Sequence, residues 1–199
     1  DDCTTGLSVD GSASPDVDSL VVTDCSTGLH TLGSSTGTYV DVTITGGTTG
    51  FKAFSGGAHT FRSGFITGFA SYGVDTNNSA GVDLGSNGSP GNNNIYSTEE
   101  GVIKFVRVKP AIAELGDVPA ENNWWNSDPP SGSMFSSKVD YTPWSTAAHS
   151  ASAEMAFELV SIRPSLSPYP NPFQSGSVLH YTIPNGTSEA DLSVFDIQG

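Results

Sequence analysis

Thr4-Thr5-Gly6-Leu7 recurs as Ser26-Thr27-Gly28-Leu29 and again as Thr48-Thr49-Gly50-Phe51, each time 22 residues on; Ser71-Tyr72-Gly73-Val74 follows after a slip of one. A repeat of this length is one supersecondary unit that cannot bury its apolar face alone, so the units must stack. Set above one another they form columns: Leu7, Leu29 and Phe51; Val9, Thr31 and Ala53; Val17, Tyr39 and Phe61. Leu20 and Val22 stand over Val42 and Ile44, then over Gly64 and Ile66. Apolar columns two apart have the period of a strand with one face inward. Gly6, Gly28 and Gly50 form a column as well, as expected where every coil makes the same sharp bend. The pattern predicts an all-β chain opening with a parallel β-helix, its coils about 4.8 Å apart. About five apolar side chains per coil, at roughly 1.5–3 kcal/mol each, offset backbone ordering only when a neighbour covers both sides. The chain enters a recognisable coil at once, at Cys3, which points to earlier coils and a cap before Asp1.

Composition narrows the partners. With 7 Lys+Arg against 21 Asp+Glu, the formal charge of −14 repels phosphate backbones, which argues against nucleic acid and acidic membranes. It leaves room for neutral sugars and divalent cations. No apolar run reaches 18 residues, so no membrane-spanning segment is expected. The 23 Gly, with abundant Ser, Thr and Asn, suit strands joined by tight turns.

After Val74 the period loosens. Gly81-Val82-Asp83-Leu84-Gly85 runs into the turn-rich stretch 86–94, and Val102 to Val108 alternates as a strand ended by Lys109-Pro110. The coils extend over 1–144. Residues 145–166 form a Ser/Ala-rich linker in which Met155 to Ile162 is a candidate strand, and 167–199 is a second module. That module holds Tyr169-Pro170-Asn171-Pro172-Phe173, a strand at Val178 to Ile183 and another at Leu192 to Asp196. Two strands cannot close a domain.

Over residues 1–144 the coils, the stretch Asp83 to Tyr96 and the Ala120-Glu121-Asn122-Asn123-Trp124-Trp125-Asn126 … Val139-Asp140-Tyr141-Thr142-Pro143-Trp144 segments resemble the C-terminal coils of secreted bacterial right-handed parallel β-helix proteins with the pectin-lyase-like fold. In that family the Asn-Asn-Trp-Trp run usually continues with Gly, where Asn126 stands here. Tyr169 to Gly199 resembles the opening of the C-terminal sorting domain of the type IX secretion system, and equally the immunoglobulin-like domain of flagellar hook-capping proteins. The resemblances imply a right-handed parallel β-helix followed by a truncated immunoglobulin-like β-sandwich. They imply a secreted or cell-surface protein exported across an outer membrane, with Tyr169, Pro170, Asn171, Pro172 and Phe173 as sorting motif and the secretion machinery as partner.

Ser8, His30, Lys52 and Asp75 fall in one outward column, which places a base, a cation and a carboxylate on adjacent rungs. Enzymes of the pectin-lyase-like fold carry acid–base groups on such a face, so His30, Lys52 and Asp75 are the weak catalytic candidates. The plainer reading is a surface ion pair between Lys52 and Asp75. Arg62, Lys104 and Arg107 have no compact Asp/Glu cluster beside them, and Asp16 and Asp18 are two carboxylates without partners. No cofactor is therefore expected; Ca²⁺ has no supporting motif. Trp124, Trp125 and Trp144 are candidate sugar-stacking platforms, against the alternative that they close the last coil from water. One of the adjacent pair Trp124 and Trp125 should be buried. Cys3 and Cys25 stand one coil apart in one column, about 4.8 Å, which permits a disulfide; with parallel Cβ vectors the expectation is free thiols in an inward ladder, a disulfide being the alternative. His59, His149 and His180 are expected exposed, and the Asn77-Asn78 and Asn92-Asn93-Asn94 runs are expected at coil corners with laddered amides. The functional expectation is a structural, carbohydrate- or surface-binding protein; the alternatives are the non-catalytic end of a polysaccharide lyase or glycoside hydrolase, and a passive stalk.

Overall fold

The computed structural model describes residues 3–54, 56–77, 81–86, 88–109 and 116–150, and the backbone of two strands beyond them. The chain divides into two compact units, Asp1–Ala156 and Phe157–Gly199. The first is a parallel β-solenoid of about six turns. Its first coil carries β1 (Thr5–Val9), β2 (Asp16–Asp18) and β3 (Val21–Thr23). The second carries β4 (Thr27–Thr31), β5 (Gly37–Val40) and β6 (Thr43–Thr45). The third carries β7 (Thr49–Ala53), β8 (Ala58–Arg62) and β9 (Phe65–Thr67), and the fourth β10 (Tyr72–Asn77), β11 (Gly81–Asp83) and β12 (Asn94–Tyr96). Then come β13 (Lys104–Lys109), β14 (Val118–Pro119), a single 3-10 turn at Gly132–Met134 and β15 (Val139–Asp140).

Three parallel sheets result, ordered β1-β4-β7-β10-β13, β2-β5-β8-β11 and β3-β6-β9-β12. The register is the one the 22-residue columns require: Leu7 pairs with Leu29 and Leu29 with Phe51, Val17 with Tyr39 and Tyr39 with Phe61, Val22 with Ile44 and Ile44 with Ile66. Leu29, Tyr39, Ile44, Phe51, Phe61 and Ile66 are buried, and so are Thr31 and Ala53. No helix among the described residues is long and apolar enough to cross a membrane.

The corner between the second and third sheets is made the same way in every coil. Ser19, Asp41, Ser63, Asn92 and Asn122 take left-handed backbone, φ 60°, 52°, 55°, 54° and 58°. Each of the first four donates its N–H to the next coil, to Val40, Arg62, Gly91 and Asn122 carbonyls. A left-handed residue costs about 1–2 kcal/mol and is borne most easily by short polar side chains, which is the set found here. One residue further on, Asn93 and Asn123 are buried; the Asn93 backbone N–H donates to Asn123 Oδ1 at 3.0 Å, and both side-chain amides donate to the Leu84 carbonyl rather than to each other.

The glycine column has a different cause from the one expected. Gly6, Gly28 and Gly50 lie inside β1, β4 and β7 and are not at positive φ. A Cβ at Gly50 would stand 2.2 Å from Ile66 Cγ2 and 2.7 Å from the Gly73 carbonyl oxygen. The column is kept bare by the branched side chains of the third sheet, not by a bend. Gly50→Ala is expected to lose about 2–3 kcal/mol in urea unfolding, the cost of overpacking with backbone on one side.

Cys3 and Cys25 form a disulfide, which corrects the expected thiol ladder. Their Cα atoms are 4.5 Å apart, within the range a bridge accepts, and the Ser26 N–H bond to the Cys3 carbonyl fixes the two coils in that register. Cys3 is exposed, so the column is not a buried one at its start. Thiol titration of the unfolded, unreduced protein should find no free thiol. Reduction should lower stability by about 2–4 kcal/mol, chiefly by loosening the first coil.

Phe51 is ringed by Tyr39, His59 and Phe61 at centroid separations of 5.9, 6.1 and 6.0 Å. His59 is therefore core, 1% exposed, and not the surface residue its polarity predicts. At the far end Trp125 meets Phe135 edge-on at 4.8 Å, and Phe135 stacks on Tyr141 at 4.1 Å. Contacts with the solenoid continue past residue 144, where the Ser145 N–H reaches the Asn123 carbonyl and the Asn94 amide brackets the His149 backbone.

In the second unit β16 (Ser165–Tyr169) pairs antiparallel with β17 (Val178–Thr182), Tyr169 opposite Val178. The strand expected at Val178 is thus present. The expected strands at Met155 to Ile162 and Leu192 to Asp196, and Pro170, Asn171, Pro172 and Phe173, lie outside the described residues. An antiparallel pair is what the described residues show; a sandwich is not shown.

Candidate functional site

Parallel pairing turns sequence columns into surface ladders. Along the outer face of the five-stranded sheet, Ser8 pairs with His30, His30 with Lys52, Lys52 with Asp75 and Asp75 with Arg107. The column drawn from the 22-residue period is therefore real, and it runs one rung further. Arg107 Nε donates to Asp75 Oδ1 at 2.7 Å, Nη2 donates to Oδ2, and Nη1 donates to the Tyr72 hydroxyl at 2.6 Å. The guanidinium carbon lies 3.6 Å from the Tyr72 ring centroid. Lys109 Nζ stands 3.7 Å from Asp75 Oδ2. Hydrogen bonding to Asp75 raises the Arg107 pKa, against the opposing cost of burial.

Asp75 is only 4% exposed and both its oxygens are engaged. A carboxylate held this way is a structural anchor for the cations around it. Its ion-pair partners are Arg107 and Lys109, where the sequence suggested Lys52. Lys52 Nζ instead lies 5.0 Å from the Phe54 ring centroid, and Lys109 Nζ lies 4.1 Å from the same ring. His30 meets Phe54 edge-on at 6.3 Å. Its Nε2 is buried and has no hydrogen-bond partner among the described residues. Burial first and the Lys52 charge second lower the His30 pKa, while Asp10 acts to raise it.

Sequence reasoning placed His30, Lys52 and Asp75 and missed Phe54, Tyr72, Arg107 and Lys109. Arg107 lies 32 residues beyond Asp75, because the fourth coil carries the extra turn at Ser86 and Ser89. No fixed period reaches it. Had the alternating strand at Val102 to Val108 been aligned on β10, the pairing would have been legible.

The tryptophans serve the end of the solenoid in different ways. Trp125 is fully buried, as the alternation of strand side chains requires for one of the adjacent pair. Trp124 and Trp144 are half-buried; Trp144 Nε1 donates to Asp128 Oδ1 at 2.9 Å and its ring lies 6.4 Å from Tyr141. His149 is half-buried rather than exposed, its Nε2 2.7 Å from Ser145 Oγ. Asp16 and Asp18 stay exposed on β2. Among the described residues, no three His, Cys, Asp or Glu come together as metal ligands would.

Two buried side chains set a pH dependence of stability. Burial lowers His59 below 6.5, against a backbone hydrogen bond at Ser35 that raises it, and burial pushes Tyr39 up to about 12 from 10.0. The unfolded chain binds the His59 proton more readily, so stability falls as pH drops below 6.5. Tyr39 ionises more readily unfolded, so stability also falls as pH rises from 10 towards 12. Thermal midpoints across pH should describe this plateau, and His59→Phe should flatten its acid side.

No family model, curated protein or solved structure matches this chain.

Proposed function

We propose that this protein is a secreted or cell-surface solenoid, a right-handed β-helix, that binds carbohydrate or another surface through the outer face of its five-stranded sheet and does so without turnover. The observation that carries the reading is a concentration of charge and rings. Lys52, Lys104, Arg107 and Lys109 are four of the seven Lys+Arg in a chain of formal charge −14, and all four stand on β7 and β13. Phe54 and Tyr72 lie among them under cations. Aromatic faces beside hydrogen-bond donors suit sugar rings, and a rigid sheet holds them without ordering cost at binding.

Export is the companion proposal. The Cys3–Cys25 bridge is the chemistry of an oxidising compartment, and the Tyr169 to Phe173 motif resembles a sorting signal. Trp124 and Trp144 remain secondary candidates for ring stacking.

Glycan arrays and product assays on the full chain test this together. Saturable binding with no new reducing ends or unsaturated products is the expected result. Unsaturated products would replace the reading with a lyase, and silence in both assays would leave a passive stalk.

A further inference from the structure

We propose that the Lys52–Phe54–Lys109 cluster is the subsite for an anionic group of that ligand, a carboxylate or sulfate on an acidic saccharide, and that His30 takes up a proton as the anion binds. The inference rests on the binding reading above and names the chemistry and control of the same face.

The local charge is unbalanced. Asp75 is the carboxylate of the ladder, and Arg107 holds it through two hydrogen bonds. Lys109 is left at 3.7 Å from one Asp75 oxygen with a side chain 41% exposed, and Lys52 makes no ion pair among the described residues. Both ammonium groups stand over one ring, 5.0 and 4.1 Å from its centroid. Two like charges drawn to the same ring repel each other, and an anion between them removes that repulsion while gaining from both. A neutral sugar would stack on Phe54 equally well without the lysines.

His30 converts this into a proton-linked site. It lies one rung from Lys52 and 6.3 Å from the Phe54 centroid, with a buried Nε2 that no described residue satisfies. The charged groups facing it are Lys52 from β7 and Asp10 after β1; its rung neighbour Ser8 on β1 carries no charge. In the free protein burial and then the Lys52 charge lower the His30 pKa, against Asp10, which raises it. An anion at the lysines offsets the Lys52 repulsion, so the imidazolium becomes easier to form, and by linkage acid pH tightens the complex.

The test uses calorimetry of the full chain with dextran sulfate, hyaluronan and uncharged dextran, at pH 5.5 and pH 8. Sulfate stays ionised across this range, so any pH dependence with dextran sulfate belongs to the protein. Dextran sulfate should bind with at least about threefold higher affinity at the lower pH. Lys52→Gln/Lys109→Gln should weaken it about tenfold or more, since two close charges are lost. His30→Gln should bind at both pH values as the natural protein does at pH 8. In the natural protein the His30 ring resonances should titrate at higher pH with dextran sulfate present. Hyaluronan binding as well extends the site to carboxylates, and binding of dextran sulfate alone restricts it to sulfate. Dextran binding as tightly as dextran sulfate, unmoved by the lysine substitutions, overturns the inference and leaves the carbohydrate reading standing. A pH dependence unchanged in His30→Gln overturns the proton coupling. No binding to any glycan on an array overturns both.

Discussion

Replacing Asn93 by Leu is expected to cost about 1–3 kcal/mol, measured as a shift of the urea midpoint of the full chain. The side chain is fully buried at the corner after β11 and makes three hydrogen bonds to backbone groups of the third and fourth coils. Its Oδ1 accepts from the Gly64 N–H at 2.8 Å, and its Nδ2 donates to the Phe61 and Leu84 carbonyls at 3.1 and 2.9 Å. Leu has nearly the same volume, so packing changes little. What is lost is satisfaction: the Gly64 donor loses its partner, at roughly 1–3 kcal/mol, while the Phe61 carbonyl keeps Arg62 Nη1 at 3.0 Å. The Leu84 carbonyl keeps the Asn123 amide at 3.0 Å, which bounds the loss. Asn93→Asp should be worse, because it faces two carbonyls with a buried charge. A shift below about 1 kcal/mol for the Leu variant would mean that water reaches this corner, and Asn93 would not be the brace described.

Phe51→Ala should remove about 3–5 kcal/mol, through lost transfer energy and the cavity left behind. Phe51 is fully buried at the middle of β7, against Tyr39, His59 and Phe61. In a stack where each coil touches only its neighbours, stability is a sum of coil and interface terms. The loss therefore falls on the junction between the second and third coils. Unfolding followed by circular dichroism and by tryptophan fluorescence should separate into two transitions. The tryptophans report only Trp124, Trp125 and Trp144, all at the far end, so their transition should move less. Coincident transitions shifted equally would show that the solenoid unfolds as one unit.

The period of 22 was enough to predict the sheet order, the inward columns and the outward ladder from Ser8 to Asp75. Stacked identical coils make sequence spacing and spatial contact the same quantity, so the register follows by counting. The left-handed corners at Ser19, Asp41 and Ser63 keep that period as well. Counting failed where a coil changed length: Arg107 belongs to the ladder through a 32-residue step, and the Asn93–Asn123 hydrogen bond spans 30.

Other properties depend on facing atoms that a one-dimensional pattern does not contain. Gly50 is bare because Ile66 Cγ2 occupies its side-chain space, and His59 is core because Tyr39 and Phe51 close over it. The Cys3–Cys25 bridge required a Cα separation of 4.5 Å, which spacing alone left open between thiols and disulfide. Asp75 is a buried anchor for Arg107 because the fifth coil covers it. The sequence by itself determined the stacking and the faces, since these follow from period and polarity. The tertiary structure decided which side chains meet on a face, because contacts between coils depend on coil length and side-chain direction as well as on period.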